Sequence, residues 1–294
     1  MNPRYAYITI ATSKDYLEGL MAMSLSLRRT GTTIPLYALL PQKLIEEITP
    51  WGGYFNLRQN GVNIIPFKHS LCIPQELKEN ILNGENPRFA RTFDKFLIFE
   101  LTQFSKVVYL DVDIYILHSL DGLFSMPHMS ACVAGKSYPG NENWIELNSG
   151  IMTIVPEDGM VEKLMGLIPT VMQQKNDFGD QDILQAYCPD WPEHPELDMG
   201  EKYNILSYYA EYYYNNLGYR YTDTPSDPFS VGLVHFAAQQ KPWMRKWSLL
   251  SVVKQEVQLW LRHLIHRRDT RTVLLEYNHL VRRARRLLYR PQMH

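Results

Sequence analysis

Asp111 and Asp113 close an apolar run, Val107-Val108-Tyr109-Leu110-Asp111-Val112-Asp113, whose β-branched and aromatic residues predict a buried strand. Two carboxylates at the end of such a run need a partner, because charge left in an apolar interior is costly. Side chains at i and i+2 of a strand leave on one face, so this pair is expected to converge on a single cation or polar ligand. Oxygen ligation suits Mg²⁺ or Mn²⁺, which fill their remaining positions with water and substrate phosphates. An isolated pair of this kind also serves as a helix cap or turn. Aspartate-nucleophile phosphatases place a similar pair after a strand but continue with Gly-Thr, where this chain has Ile114-Tyr115.

Other patches carry matching chemistry. Asn148-Ser149-Gly150 offers an amide, a hydroxyl and a flexible backbone suited to reading sugar hydroxyls, or to a turn. Gly179-Asp180-Gln181-Asp182 precedes the helical segment Ile183–Tyr187, so its acids also suit a helix N-terminus. His235 follows an apolar stretch and stands six residues before Lys241, a spacing that could join a metal to a diphosphate. Tyr16, after the first strand, could stack on a base or pack in the core.

The elements that must position these residues alternate. Tyr5 to Thr12 reads as a strand, a helix follows with Leu17, Leu20, Met21, Ser24, Leu25 and Arg28 at helical spacing, and Pro35 to Leu40 reads as a second strand. A helix over 41–51, a strand over Val62–Ile65, a loop at Asn83–Pro87 and a helix around Phe93 to Leu101 come next. Beyond the aspartates, Ser130–Ala134 and Gly150–Val155 are expected strands and Gly159–Gln173 a single helix. Such alternation predicts a parallel-rich sheet covered on both faces, with ligands beyond the carboxyl ends of its strands. Neither G-x-G-x-x-G nor G-x-x-x-x-G-K-[ST] occurs, which removes the common dinucleotide and P-loop readings.

Length and composition, 294 residues and 45% hydrophobic, suit a globular domain with an appendage. Cys72, Cys132 and Cys188 form no C-x-x-C pair, so neither a zinc site nor a disulfide framework is expected and a reducing cytoplasm fits. Met1 to Tyr5 runs into a strand without a signal-like segment, and no apolar run is long enough to span a bilayer, so neither export nor membrane insertion is expected. From Arg245 onward twelve Lys/Arg stand against three Asp/Glu, so this part carries about +9 within a chain of net charge −1. The segment Leu249–Tyr289 is helical in pattern. Val253, Val257, Leu261, Leu264 and Ile265 form one stripe, with dense arginines beyond it, which suits an anionic membrane surface or a helix packed on the main domain. Sparse aromatic interleaving argues against nucleic acid.

Taken in order and spacing, these patches resemble glycosyltransferase family 8, the glycogenin-like retaining enzymes, over roughly Tyr5 to Trp243. The resemblance implies an α/β fold of the GT-A type, a mixed Rossmann-like sheet flanked by helices over residues 1–244, with a basic helical extension over 245–294. It implies a uridine site at Thr9, Ile10, Ala11, Thr12 and Tyr16, and Lys95 on donor sugar or phosphate. It further implies Asp111, Asp113 and His235 as ligands of Mn²⁺ or Mg²⁺, with Asp111 and Val112 also at the donor. Asn148, Ser149, Asp180 and Gln181 would contact the sugar, with Tyr203-Asn204 following, and Lys241 the diphosphate. Ala238 departs from the family pattern, which has glycine there, so the backbone approaches the phosphates less freely. The motif around Asp177, Asp180 and Gln181 is similar to both glycogenins and bacterial lipo-oligosaccharide galactosyltransferases.

The implied reaction is hexose transfer from UDP-glucose or UDP-galactose to a saccharide or lipid-linked saccharide. Asp180 and Gln181 are the candidates for a partner to the reacting centre, and a front-face route would need no protein nucleophile. Tyr208, Tyr209, Tyr212, Tyr213 and Tyr214 keep glycogenin-like self-glucosylation as the alternative, and a nucleotide-sugar-binding protein without turnover as a second.

Overall fold

The structure, a computed structural model, describes residues 4–84, 87–222 and 224–291. Met1–Pro3, and Glu85–Asn86 of the loop expected at Asn83–Pro87, lie outside the described residues. The first half runs β1 (Tyr5–Ile10), α1 (Leu17–Arg29), β2 (Leu36–Pro41), α2 (Gln42–Ile48), α3 (Gly53–Gln59), β3 (Val62–Phe67) and α4 (Gln75–Asn83). A 3-10 segment, Pro87–Glu100, leads to β4 (Lys106–Leu110) and β5 (Ile114–Ile116). Then follow β6 (Ser130–Cys132), β7 (Asn148–Ile154), α5 (Met160–Met165), α6 (Ile168–Met172), α7 (Asp180–Tyr187), β8 (Ile205–Leu206), α8 (Ala210–Asn216) and β9 (Leu233–His235). Two helices, α9 (Leu249–Leu264) and α10 (Thr270–Leu288), complete the described chain.

The main sheet has the order β3-β2-β1-β4-β7-β6. Its first four strands are parallel, and β7 and β6 join antiparallel, so the sheet is mixed. Pro66 lies in β3, an edge strand, where a missing amide donor is tolerated. Period-2 alternation sorts side chains between two cores. Tyr7, Val108 and Leu110 meet α1 and α10 on one face, while Ile8, Val107 and Tyr109 meet Phe93, Phe96, Ile183 and Leu184 on the other. The ends of β1, β4 and β7 leave a cleft between these layers, where strand-terminal side chains have no neighbour to bury them.

Several expected boundaries shift, for local reasons. The helix expected over Gly159–Gln173 is two helices, because Pro169 has no amide to give the preceding turn and Gly166-Leu167 forms the break. The helix expected at Phe93–Leu101 is the 3-10 segment, already begun at Pro87. The helix expected over 41–51 stops at Ile48 and a further helix, α3, follows. The long C-terminal helix is broken after Leu264, where His266 takes a left-handed conformation (φ 49°) and Asp269 caps α10. Two expected strands also move, Ser130–Ala134 ending at Cys132 and Gly150–Val155 spanning Asn148–Ile154.

Candidate active site

Asp111 and Asp113 lie just past the end of β4, in a turn rather than on the strand itself. Their convergence therefore comes from the pairings on either side and not from the pleat. Before the turn, the Asp111 amide donates to the Gly150 carbonyl of β7 (2.9 Å). After it, β5 leaves the main sheet and pairs antiparallel with β9, setting Ile114 opposite His235. The Phe236 amide donates to the Asp113 carbonyl (2.8 Å), which holds the turn against β9. His235 Nε2 thus lies 3.2 Å from Asp113 Oδ1 and 3.7 Å from Asp111 Oδ2. One ligand atom from each of these three residues lies within 4.8 Å of the others. Gly150 makes the approach feasible, since a Cβ there would come 2.5 Å from His235 Cε1.

Two lysines face this group. Lys241 Nζ donates to Asp113 Oδ2 (2.5 Å) and to the Phe236 carbonyl (3.0 Å). Lys95 Nζ lies 2.6 Å from Asp180 Oδ2 and 3.7 Å from Asp111 Oδ1, and donates to the Ser149 carbonyl (3.1 Å). Burial alone would lift the Asp113 carboxyl, but without a cation a charged His235, donating from Nε2, and then Lys241 outweigh it and hold it well below the usual carboxylate range; a bound cation takes the place of that Nε2 proton. Burial raises Asp111, against Lys95 and with the Asp113 charge adding to it. For Lys95 burial pulls the ammonium down, yet Asp111 and Asp180 outweigh it and hold it above its ordinary value. Three carboxylates against two ammonium groups leave one net negative charge in a largely buried site, which favours a cation there, and a divalent ion would carry a surplus positive charge to an anionic ligand. The donor set, two carboxylates and an imidazole, fits Mn²⁺ or Mg²⁺ with positions left for water and phosphate oxygens.

The sugar-reading patches gather on the other side of Lys95. A 3-10 segment has three residues per turn, so Thr92 and Lys95 share a face, and both meet Asp180. The Asp180 amide donates to Thr92 Oγ1 (3.1 Å), and Ser149 Oγ donates to Asp180 Oδ2 (2.7 Å). The two acids at the start of α7 divide the work. Asp182 accepts from the Gly179 amide (3.0 Å) and so caps the helix, which frees Asp180 to face the cleft. Asn148 Nδ2 donates to Gln181 Oε1 (3.1 Å), Asn204 Nδ2 donates to Asn148 Oδ1 (2.8 Å), and Asn204 Oδ1 lies 2.9 Å from His235 Nδ1.

A cleft of about 1210 Å³ is lined by Ile10, Thr12, Tyr16, Lys95, Asp111, Val112, Asp113, Asn148, Ser149, Asp180, Gln181, His235 and Lys241. Three expected donor residues fall outside that lining. Thr9 and Ala11 are buried in the core, because alternation along β1 gives the cleft Ile10 and the next outward position, Thr12. Ala238 is exposed in the turn after β9. Lys241 is placed by Trp243, whose indole donates to the Asp15 carbonyl (2.7 Å) and packs on Gly19. Arg91 and Thr92 also line the cleft, and the one sequence signal they carry is position, directly before Phe93-Asp94-Lys95. Cys72 also lines the cleft, on a segment held by Asp94, whose Oδ1 accepts from the Leu71 amide (2.7 Å).

A family model described as "Glycosyl transferase family 8" matches residues 7–247. Glycogenin-1 of Caenorhabditis elegans is 29% identical over 239 residues, covering 81% of this chain and 50% of that protein. The glycosyltransferase GlyE of Streptococcus pneumoniae TIGR4 superposes with a TM-score of 0.55 at 18% identity, over 95% of this chain and 63% of that chain. A galactosyltransferase, LgtC, crystallised with donor and acceptor sugar analogs, superposes with a TM-score of 0.51 at 16% identity, over 82% of this chain and 90% of that one. At such identities the structural likeness concerns the fold, which is of the GT-A type. The chain spans half the length of the nematode relative.

Proposed function

The chain belongs to glycosyltransferase family 8, and from that premise we propose that it transfers a hexose from UDP-glucose or UDP-galactose, with retention, to a saccharide or lipid-linked acceptor at a membrane surface. The observation that carries this reading is the meeting of Asp111, Asp113 and His235 with Lys95, Asp180 and Lys241 in one cleft. A bound Mn²⁺ or Mg²⁺, held by Asp111, Asp113 and His235, would supply positive charge to the departing diphosphate. Lys241 sits on Asp113 and would share its charge with that diphosphate. Ile10, Thr12 and Tyr16 form the end of the cleft suited to the uridine.

In the transfer, the bond from the anomeric carbon to the diphosphate oxygen breaks, and the acceptor oxygen bonds to that carbon on the same face. The acceptor proton passes to the leaving diphosphate oxygen. This front-face route needs no protein nucleophile. Asp180 Oδ2 is held by Lys95 and Ser149, and Gln181 Oε1 faces Asn148 Nδ2 and the Ser149 amide, contacts that suit groups fixed in place to bind the sugar. Their role on this reading is to bind and orient the sugar.

An external acceptor is favoured over self-glucosylation because most of the tyrosine cluster is used in packing. Tyr213 is buried on Glu201, Tyr209 stacks on Tyr138 (4.0 Å), Tyr212 meets Tyr138 edge-on (5.1 Å) and Tyr214 stacks on Tyr221 (5.7 Å), while Tyr208, edge-on to Tyr209 (4.5 Å), is the exposed member. A membrane-borne acceptor is supported by α9, whose apolar face is open. Met244 lines the cleft and is itself exposed, and the exposed Leu249 and Leu250 begin α9 only five residues later. Exposed Arg245, Lys246, Lys254 and Arg267 flank this face, as an anionic cytoplasmic surface would require.

The test incubates purified protein with Mn²⁺ and each UDP-sugar separately, following UDP release and intact mass, with Asp113→Ala as control. Metal-dependent UDP release without added mass is expected, abolished by Asp113→Ala. Added hexose mass would favour self-glycosylation, and donor binding without release across an acceptor panel would favour a binding protein.

A further inference from the structure

The hydrogen-bond chain behind His235 has a direction that its backbone end dictates. The Gly150 amide approaches Asn148 at 3.0 Å, and a backbone N–H can only donate, so the Asn148 atom there is Oδ1. Its amide nitrogen consequently faces Gln181 Oε1, which the Ser149 amide also approaches (3.4 Å). Asn204 meets the same Asn148 Oδ1 at 2.8 Å, where a second oxygen would be repelled, so Asn204 presents Nδ2 there and turns Oδ1 to His235. That oxygen, 2.9 Å from His235 Nδ1, can only accept.

We propose that Asn204 is a positioning residue for the cation: it holds the ring proton of His235 on Nδ1 and thereby presents a bare Nε2 between Asp111 and Asp113. A bare imidazole nitrogen 3.2 Å from one carboxylate oxygen and 3.7 Å from another is repelled by both, unless a cation lies between them. The same chain links Gln181, in the sugar-reading half of the cleft, to the ligand group through two amide side chains. Asn204 is fully buried and touches neither carboxylate, so its effect on the cation passes through His235 alone among the three ligands. Outer partners of this kind typically change metal affinity 10- to 100-fold, because they fix both the tautomer and the plane of the ring.

The inference rests on the metal-dependent reading, and its test keeps the two apart by measuring binding without turnover. Free Mn²⁺ is followed by electron paramagnetic resonance in titrations of the full chain, with no donor present, for the wild type, Asn204→Ala and Asn204→Asp. Tight binding by the wild type, a loss of about 10- to 100-fold in Asn204→Ala and a smaller loss in Asn204→Asp, which keeps an acceptor for Nδ1, are expected. In the Mg²⁺-loaded wild type, nitrogen NMR of the histidine ring should show a slowly exchanging Nδ1–H that Asn204→Ala loses. Should Asn204→Ala fail to fold, Asn204→Asp and the wild-type NMR signal still decide the matter. Absence of Mn²⁺ binding in the wild type would overturn the metal reading itself. Normal binding in the wild type with unchanged affinity in both variants, or a wild-type ring protonated on Nε2, would overturn the role of Asn204.

Discussion

Lys95 is buried beneath the cleft and is the cation on which Asp180, Asp111 and Ser149 converge. Replacing it by methionine keeps the length of the stem but leaves the Asp180 carboxylate buried without its partner. A loss of about 3–5 kcal/mol is expected, the range for breaking a buried pair from one side, and urea unfolding followed by circular dichroism measures it. Lys95→Met paired with Asp180→Leu should recover part of that loss, since the Asp180 carboxylate is then no longer stranded and only Asp111 lacks its lysine. Cys72 gives a reading that needs no turnover. It is exposed on the cleft wall, whereas Cys132 is buried, so a maleimide should modify Cys72 first. Saturating UDP with Mn²⁺ should slow that modification several-fold, and unchanged labelling would argue against a nucleotide in this cleft.

At the scale of elements, the site depends on segments that leave regular structure at the right residue. The turn at Asp111–Asp113 ends β4 so that β5 can pair elsewhere, and the 3-10 segment turns Thr92 and Lys95 to one side. The junction of α9 and α10 shows the same economy in a place remote from the chemistry. Asp269 accepts from the Thr272 amide (2.9 Å) and binds Arg262 (2.7 Å) and Arg267 (2.7 Å). Burial opposes its charge, but these donors prevail and hold its carboxyl well below the usual carboxylate range. A depressed carboxyl stabilises the fold above the unfolded-state value of about 3.9 and loses that contribution as pH falls further, toward its folded value. Asp269→Ala should therefore cost about 1 kcal/mol at neutral pH through the lost cap alone. The gap between variant and wild type should narrow in thermal melts as the buffer is taken below about pH 4. A gap independent of pH would mean that the charge contributes nothing.

At the scale of the molecule, the two C-terminal helices behave differently although their sequences are both basic and amphipathic. The apolar face of α10 is in the core, where Tyr277 stacks on Phe236 (4.2 Å), and Arg285 ties the helix to Glu18 of α1 and to the Trp243 carbonyl (2.6 Å). α9 instead leaves Leu249 81%, Leu250 80% and Trp260 63% exposed. No helix among the described residues is long and apolar enough to cross a membrane; an exposed apolar face of this size is the mark of an interaction surface, and the membrane reading proposed above makes a direct prediction for it. Co-sedimentation with vesicles containing phosphatidylserine is expected, weakened by salt and at least tenfold by Leu250→Asp together with Trp260→Asp. Dimerisation in sedimentation velocity, abolished by the same pair and without vesicle binding, would assign the face to a second copy instead.

The sequence alone determined the sheet's alternating pattern, the ordered patches at Asp111, Asn148, Asp180 and His235, and the basic amphipathic character of the end of the chain. Each of these is a local property, readable from periodicity or from residue types within a few positions. Tertiary structure decided what periodicity cannot carry. It decided that β5 crosses to β9, because only strand pairing brings His235 to Asp113 across more than a hundred residues. It decided that Asp180 rather than Asp182 meets Lys95, because helix capping consumes one acid and leaves the other. It placed Thr9 and Ala11 in the core, where burial on β1 outranks any polar role of the threonine. It also separated α9 from α10, whose patterns are alike, because burial depends on which helix finds α1 and not on the moment either one carries.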